Sequence, residues 1–153
     1  FGVFYPLQTF NKEINIDFEN IPICIEANNK EFGLKLNNLA KSLSKSITFL
    51  NSKQRKKLHV AAVFACNFSN LMYMMADDIL PKENIPLDIL KPLIKETASK
   101  IKNHSPSKVQ TGPAVRKDKS TLKTHLDYLE KGKHFDVYKI LTETIKAKNN
   151  DEL

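Results

Sequence analysis

Between Lys57 and Asp77 lie 19 consecutive residues without a formal charge. In a chain whose residues are 27% charged, such a run must either span a bilayer or find cover within protein. His59, Asn67, Ser69 and Asn70 inside it are costly in hydrocarbon. At about 100° per residue, Ala61, Phe64, Ala65, Phe68, Leu71, Met72, Met75 and Ile79 gather on one side. The run therefore reads as a central amphipathic helix, and no membrane is expected.

On the opposite side of that helical wheel His59, Cys66, Asn70, Tyr73 and Asp77 fall within about 40° of one another, with Val63 among them and Asn67 further round. A solvent-facing stripe in a Lys-rich chain would carry lysine, so this one is expected to be covered by a helix, a partner subunit or a ligand cavity. Buried Asn and His that only fix helix register would leave the same pattern. His59 is the candidate general acid or base because imidazole titrates near neutrality; a satisfied structural histidine is the competing reading.

Around this helix the chain changes character. Phe1 to Phe10 is extended, Pro6 forbidding a helix there, and Ile21 to Ile25 is a short apolar run typical of a buried strand. After Asn28-Asn29 an amphipathic stretch carries Phe32, Leu34, Leu36, Leu39, Ala40 and Leu43, followed by β-branched Ile47-Thr48-Phe49-Leu50. Strand, helix, strand is the signature of a parallel crossover. Beyond Asn51 four helical segments are expected at 52–80, 87–103, 119–131 and 134–149, broken at Pro81, Pro86, Pro106 and Gly132. Pro92 requires the second to begin late or to kink near Leu90. The expected fold is mainly α: a small α/β segment of two or three strands and one helix over residues 1–51, then an all-helical domain over 52–153. Leu90, Leu93, Ile94, Thr97, Ala98 and Ile101 form one expected core stripe, Phe135, Tyr138, Leu141 and Ile145 another. His125, in register with Leu122, Leu126 and Leu129, is expected in the core, bonded to backbone.

A net charge of +7 raises nucleic-acid binding first. Yet 22 of the 24 basic residues are Lys, only Arg55 and Arg116 being Arg, and no interleaved aromatics accompany the cluster Lys53-Gln54-Arg55-Lys56-Lys57. No nucleic-acid partner is expected. Cys24 and Cys66 lie 42 positions apart without metal-ligand spacing, so neither a disulfide framework nor a metal site is expected, and the compartment reads as cytoplasmic.

The loop Gln110-Thr111-Gly112-Pro113-Ala114-Val115-Arg116-Lys117-Asp118 is a candidate anion or carboxylate cradle. Gly112 permits close backbone approach, Arg116 can grip two oxygens, and Asp118 can cap the following helix. An ordinary interhelical loop with an N-cap is the alternative.

The chain opens on Phe1 inside a strand and shows no leader, as expected of a piece of a longer protein. The ending Asn150-Asp151-Glu152-Leu153 is similar to an endoplasmic-reticulum retention signal, but without a secretory entry it is read as chance.

Gly2-Val3-Phe4-Tyr5-Pro6-Leu7-Gln8-Thr9-Phe10, Arg55 with Leu58 to Ala65, Asn67 to Asn70, Pro92-Leu93-Ile94 before Glu96-Thr97, Gln110 to Ala114 with Arg116 and Asp118, and His125-Leu126 occur in an order and spacing that is fairly specific. With them the chain resembles, nearly end to end, the Rossmann-like oxidoreductase relatives whose C-terminal half is domain of unknown function 2520. Where many members carry Gly between the loop Arg and Asp this chain has Lys117, which leaves the turn geometry open.

The resemblance implies a helical bundle of the 6-phosphogluconate dehydrogenase C-terminal-like type, acting in substrate binding and homodimerisation. It also implies a preceding nucleotide-binding domain whose Gly-rich turn this chain lacks. NADP or NAD would be bound mainly by that domain, with Tyr5 and Pro6 touching the cofactor, so the fragment alone is expected to be inactive. Gln8, Asn67, Asn70, Gln110, Thr111, Gly112, Arg116 and Asp118 would hold a small polar or anionic substrate in one cleft, while His59 handles the proton. The alternative is a non-catalytic ligand-sensing or scaffold dimer of the same fold.

Overall fold

Two asparagines set where the first helices begin. Asn29 Oδ1 accepts from the Phe32 amide at 2.8 Å and starts α1 (Lys30–Leu43). Asn51 forms a reciprocal capping box with Gln54, both bonds at 2.9 Å, and starts α2 (Ser52–Ala62). The computed structural model describes residues 1–151; Glu152 and Leu153, half of the retention-like tetrapeptide, lie outside the described residues.

Strands β1 (Gly2–Pro6), β2 (Ile23–Ala27) and β3 (Ile47–Phe49) form one sheet in that order. β1 runs antiparallel to β2 with Gly2 opposite Ala27, and β2 runs parallel to β3 with Ile23 opposite Ile47. Helix α1 is the crossover between the parallel pair, as the strand, helix, strand pattern predicts. Pro6 ends an edge strand, where its missing N–H costs no ladder bond. Ile23, Ile25 and Ala40 are the buried centre, with Phe4, Leu36 and Ile47 packed around them. Ser44 is buried beneath this layer and its hydroxyl donates to the Ile21 carbonyl at 2.6 Å.

Glu26, near the end of β2, is gripped by the first turn of α2. Its carboxylate accepts from the Ser52 amide at 3.0 Å and the Ser52 hydroxyl at 2.9 Å, and it pairs with the Arg55 guanidinium. Arg55 also donates to the Ser52 hydroxyl at 3.1 Å. The bonds from Arg55 and then Ser52 hold the Glu26 carboxyl below the usual glutamate range. Arg55 is thus committed within the fold rather than to the solvated basic cluster.

From Ser52 to Ile79 the helix is continuous for 28 residues, long and apolar enough by length and composition to cross a membrane. It comprises α2, a π-helical turn at Val63–Phe68 and α3 (Ser69–Ile79), and none of the three contains a buried residue. The chain divides into two compact units, Phe1–Tyr73 and Met74–Leu153.

In the second unit, 3-10 turns at Leu80–Glu83 and Leu87–Leu90 precede α4 (Lys91–Lys100), α5 (Pro106–Val109), α6 (Lys119–Leu129) and α7 (Lys133–Asp151). Pro92 occupies the first turn of α4, so the helix begins late rather than kinking. The expected α4 core stripe is corrected: Leu93 is 61% and Ile101 55% exposed, because α4 packs mainly on the 3-10 turn before it. α6 packs against α7 with Leu122 buried and Phe135, Tyr138 and Ile145 half-buried, while Leu141 stays exposed. His125 is exposed, with Nδ1 2.8 Å from the Tyr138 hydroxyl, not a core residue bonded to backbone. A side chain within reach on the neighbouring helix satisfies its ring nitrogen. The chain is mainly helical with a small three-stranded α/β segment at its start.

Two substitutions test this packing. A Cβ on Gly2 would stand 2.5 Å from the Glu26 carbonyl oxygen and 2.7 Å from Leu36 Cδ1. Gly2→Ala is therefore expected to cost about 1–3 kcal/mol in chemical denaturation, since the backbone oxygen has to move. A carboxyl whose folded pKa is depressed stabilises above its unfolded pKa, about 4.3 for Glu, and loses that contribution as pH falls through the folded value. Glu26→Gln should lower the melting temperature at pH 7, and the gap from wild type should close on acidification below that range.

Candidate functional site

The grip on Glu26 places α2 beside β1, and one turn after Arg55 the helix presents His59. Tyr5, opposite Cys24 in the sheet, reaches it: Tyr5 Oη lies 3.2 Å from His59 Nδ1, and the rings meet edge-on with centroids 6.5 Å apart. Fifty-four residues separate the two partners. The chain beyond Pro6 is held by a bond from the Leu7 amide to the Pro22 carbonyl at 2.8 Å, which keeps Gln8 and Thr9 at the same edge.

These groups border a cleft of about 370 Å³. Leu58, Ala61, Ala62, Val63 and Ala65 supply its apolar wall, and Tyr5, Gln8, Thr9, His59, Cys66 and Asn67 its polar side. An apolar cleft with a few convergent polar groups is the ordinary form of a small-molecule site. Cys66 is an exposed free thiol, whereas the thiol of buried Cys24 is pushed up by burial.

The π-helical turn supplies Val63, Ala65, Cys66 and Asn67 to this wall. Single π turns inside α-helices occur frequently at functional sites. The Ser69 hydroxyl donates to the Ala65 carbonyl at 3.1 Å, satisfying an oxygen within the distorted stretch. One extra residue in a turn displaces everything beyond it by about 100° from the straight-helix wheel. That displacement separates the residues of the expected polar stripe. His59, Cys66 and Asn67 border the cleft, but Asn70 does not and is exposed, Tyr73 is 37% exposed, and Asp77 belongs to the second unit. The opposite side is also open: Phe64 is 65% and Phe68 45% exposed, and they meet edge-on at 5.0 Å.

Of the residues singled out in this unit, the structure brings together Tyr5, Gln8, His59 and Asn67. Pro6 closes β1 beside them. Thr9, Leu58 and Ala62, singled out in the sequence only as part of the family pattern, join them at the cleft; the π turn is not legible there, because its signal is a shift of phase that a fixed 100° wheel hides.

The loop residues belong to the second unit. Asp118 caps α6, accepting from the Thr121 amide at 3.0 Å and the Thr121 hydroxyl at 2.7 Å. Those bonds chiefly, with a smaller contribution from the nearby Arg116 charge, hold its carboxyl below the usual range. Gly112 has φ 114 and Lys117 φ 57, both in the left-handed region. The Gln110 side chain donates to the Thr111 carbonyl at 3.0 Å, and the Arg116 amide donates to the Gly112 carbonyl at 3.2 Å. Among the described residues the Arg116 side chain has no salt bridge, and no three His, Cys, Asp or Glu side chains converge as metal ligands.

A family model described as "Domain of unknown function (DUF2520)" matches residues 21–145. The crystal structure of a "putative NADP oxidoreductase" from Bacteroides fragilis is similar over 95% of this chain, at 44% identity and a TM-score of 0.92. A protein from Thermotoga maritima shares the fold over 99% of the chain at 19% identity and a TM-score of 0.78. The chain spans 57% of the length of the first and 62% of the second. No curated protein matches it.

Tyr5→Phe keeps the ring and removes the hydroxyl from His59. The expected loss is about 0.5–1.5 kcal/mol in denaturant unfolding, with a change in the His59 imidazole nitrogen NMR shifts. An unchanged His59 spectrum would contradict the bond.

Proposed function

Because the chain belongs to the family described as domain of unknown function 2520, we propose that it is the substrate-binding and dimerisation part of an NADP-dependent oxidoreductase acting on a small polar or anionic compound. The observation that carries this reading is the Tyr5–His59 pair at the polar side of an otherwise apolar cleft. Similarity at 44% identity to a protein described as a "putative NADP oxidoreductase" supports the cofactor type.

A cleft of about 370 Å³ suits a small substrate or the nicotinamide end of a dinucleotide, not a whole one. In this reading the longer protein holds the remainder of the cofactor, and Tyr5 and Pro6 flank its reactive end. When bound, the cofactor supplies the hydride. The chain's own groups do the rest. Leu58, Ala61, Ala62 and Ala65 exclude water from the reacting carbon, and Gln8 and Asn67 orient polar substituents. With Nδ1 bonded to Tyr5, His59 exchanges the substrate proton through Nε2, and the tyrosine hydroxyl holds the ring tautomer. Within the second unit, the loop residues Gln110, Thr111, Gly112, Arg116 and Asp118 are proposed as a separate contact set for an anionic group, with Arg116 as its cation.

The reading includes a homodimer, in which a second copy covers exposed apolar residues such as Val60, Phe64, Leu71 and Met74.

In the full-length protein, NADPH should bind saturably by fluorescence titration. His59→Ala should lower kcat about 10²- to 10⁴-fold, with a fall in melting temperature comparable to that of Tyr5→Phe, which loses the same hydrogen bond. Gln8→Ala and Arg116→Ala should act mainly on KM. Full activity in all three variants would refute the proposed site.

A further inference from the structure

The loop that caps α6 also opens onto a second cavity, lined by none of the side chains proposed above to hold substrate. Ala114 and Leu122, each 6% exposed, are its apolar floor. Lys117, Lys119, Lys146 and Asn149 complete the lining, around a volume of about 300 Å³. The cations come from three separate stretches: Lys117 from the loop, Lys119 from the first position of α6, and Lys146 from α7. Helical spacing explains the convergence. Leu122 follows Lys119 by one turn, Asn149 follows Lys146 by one turn, and α6 packs against α7.

Two observations single out this lysine-lined cavity. Lys117 has φ 57, in the left-handed region where glycine is at ease and any side chain carries strain. The strained position therefore bears a cation that lines the cavity. Second, Lys117, Lys119 and Lys146 line the same cavity of about 300 Å³, and like charges gathered at its rim repel. Among the described residues only Lys146 has an acidic partner, Glu143 at 2.8 Å. The carboxylate of Asp118, between Lys117 and Lys119 in sequence, is engaged by Thr121. A multiply charged anion turns that repulsion into attraction.

We propose that this cavity binds a small organic phosphate: Lys117, Lys119 and Lys146 hold the phosphate oxygens, and Ala114 and Leu122 take the carbon portion. Each ammonium offers three donors without a fixed plane, which suits a tetrahedral oxyanion. The site is independent of the Tyr5–His59 cleft and of the redox reading.

The test is calorimetric titration of the full-length protein with inorganic pyrophosphate, and with citrate as a carboxylate of comparable charge. Lys117→Gly removes one cation and relieves the left-handed backbone, so the melting temperature should hold or rise while pyrophosphate affinity falls about tenfold. Lys119→Gln and Lys146→Gln should each give a similar fall, and Lys56→Gln, on α2, none. Pyrophosphate binding that is absent in wild type at millimolar concentration, or equal in the Lys117→Gly/Lys119→Gln double variant, overturns the proposal. Citrate bound as tightly as pyrophosphate overturns the assignment to phosphate.

Discussion

The ion pair between Glu26 and Arg55, completed by Ser52, is the joint on which the first unit turns. It ties a central strand to the first turn of the long helix, and both partners remain only about one-quarter exposed. Partial burial makes such a pair worth more than a solvated one, and it has directional consequences. With the head of α2 held against the end of β2, the next turn brings His59 to Tyr5, and the π turn after that forms the cleft wall. The capping box at Asn51 sets the same boundary from the backbone side. Two independent local interactions therefore agree on where the helix starts, and the site inherits its register from them.

Burial is distributed unevenly along the chain. Ile21, Ile23, Cys24, Ile25, Ala40 and Ser44 are buried around the sheet, whereas the helices from Ser52 to Ile79 and α4 contain no buried residue. Large apolar side chains such as Phe64, Met74 and Leu93 are more than half exposed. Apolar surface left in water is unfavourable in proportion to its area. That imbalance is the physical reason for including a second copy in the proposed function.

Much of the fold could be read from residue pattern. The crossover from β2 through α1 to β3 and the cap at Asp118 follow from local chemistry acting over a few residues, and a late helix start was one of the two outcomes Pro92 allowed. Of the residues that line the cleft, Tyr5, Gln8, His59 and Asn67 were among the candidates, but the bond between Tyr5 and His59 was not legible, since it joins positions 54 apart through the sheet. His125 and the α4 stripe misled for a related reason: apolar periodicity marks the face able to be buried, while burial itself requires an element to lie on it. The lysine-lined cavity left little trace in the sequence, where 22 lysines are spread along the chain.

By itself the sequence determined the kinds of element, their order, most of their ends and the family, because propensity, capping and patterning are short-range and written in consecutive residues. Only the tertiary structure decided which distant side chains meet: Glu26 with Arg55, Tyr5 with His59, and Lys117 with Lys119 and Lys146 around one cavity. It alone located the π turn that re-phases the central helix. Those outcomes depend on how strand, loop and helix are placed against one another in space, and a one-residue change of phase within a helix redirects every side chain beyond it.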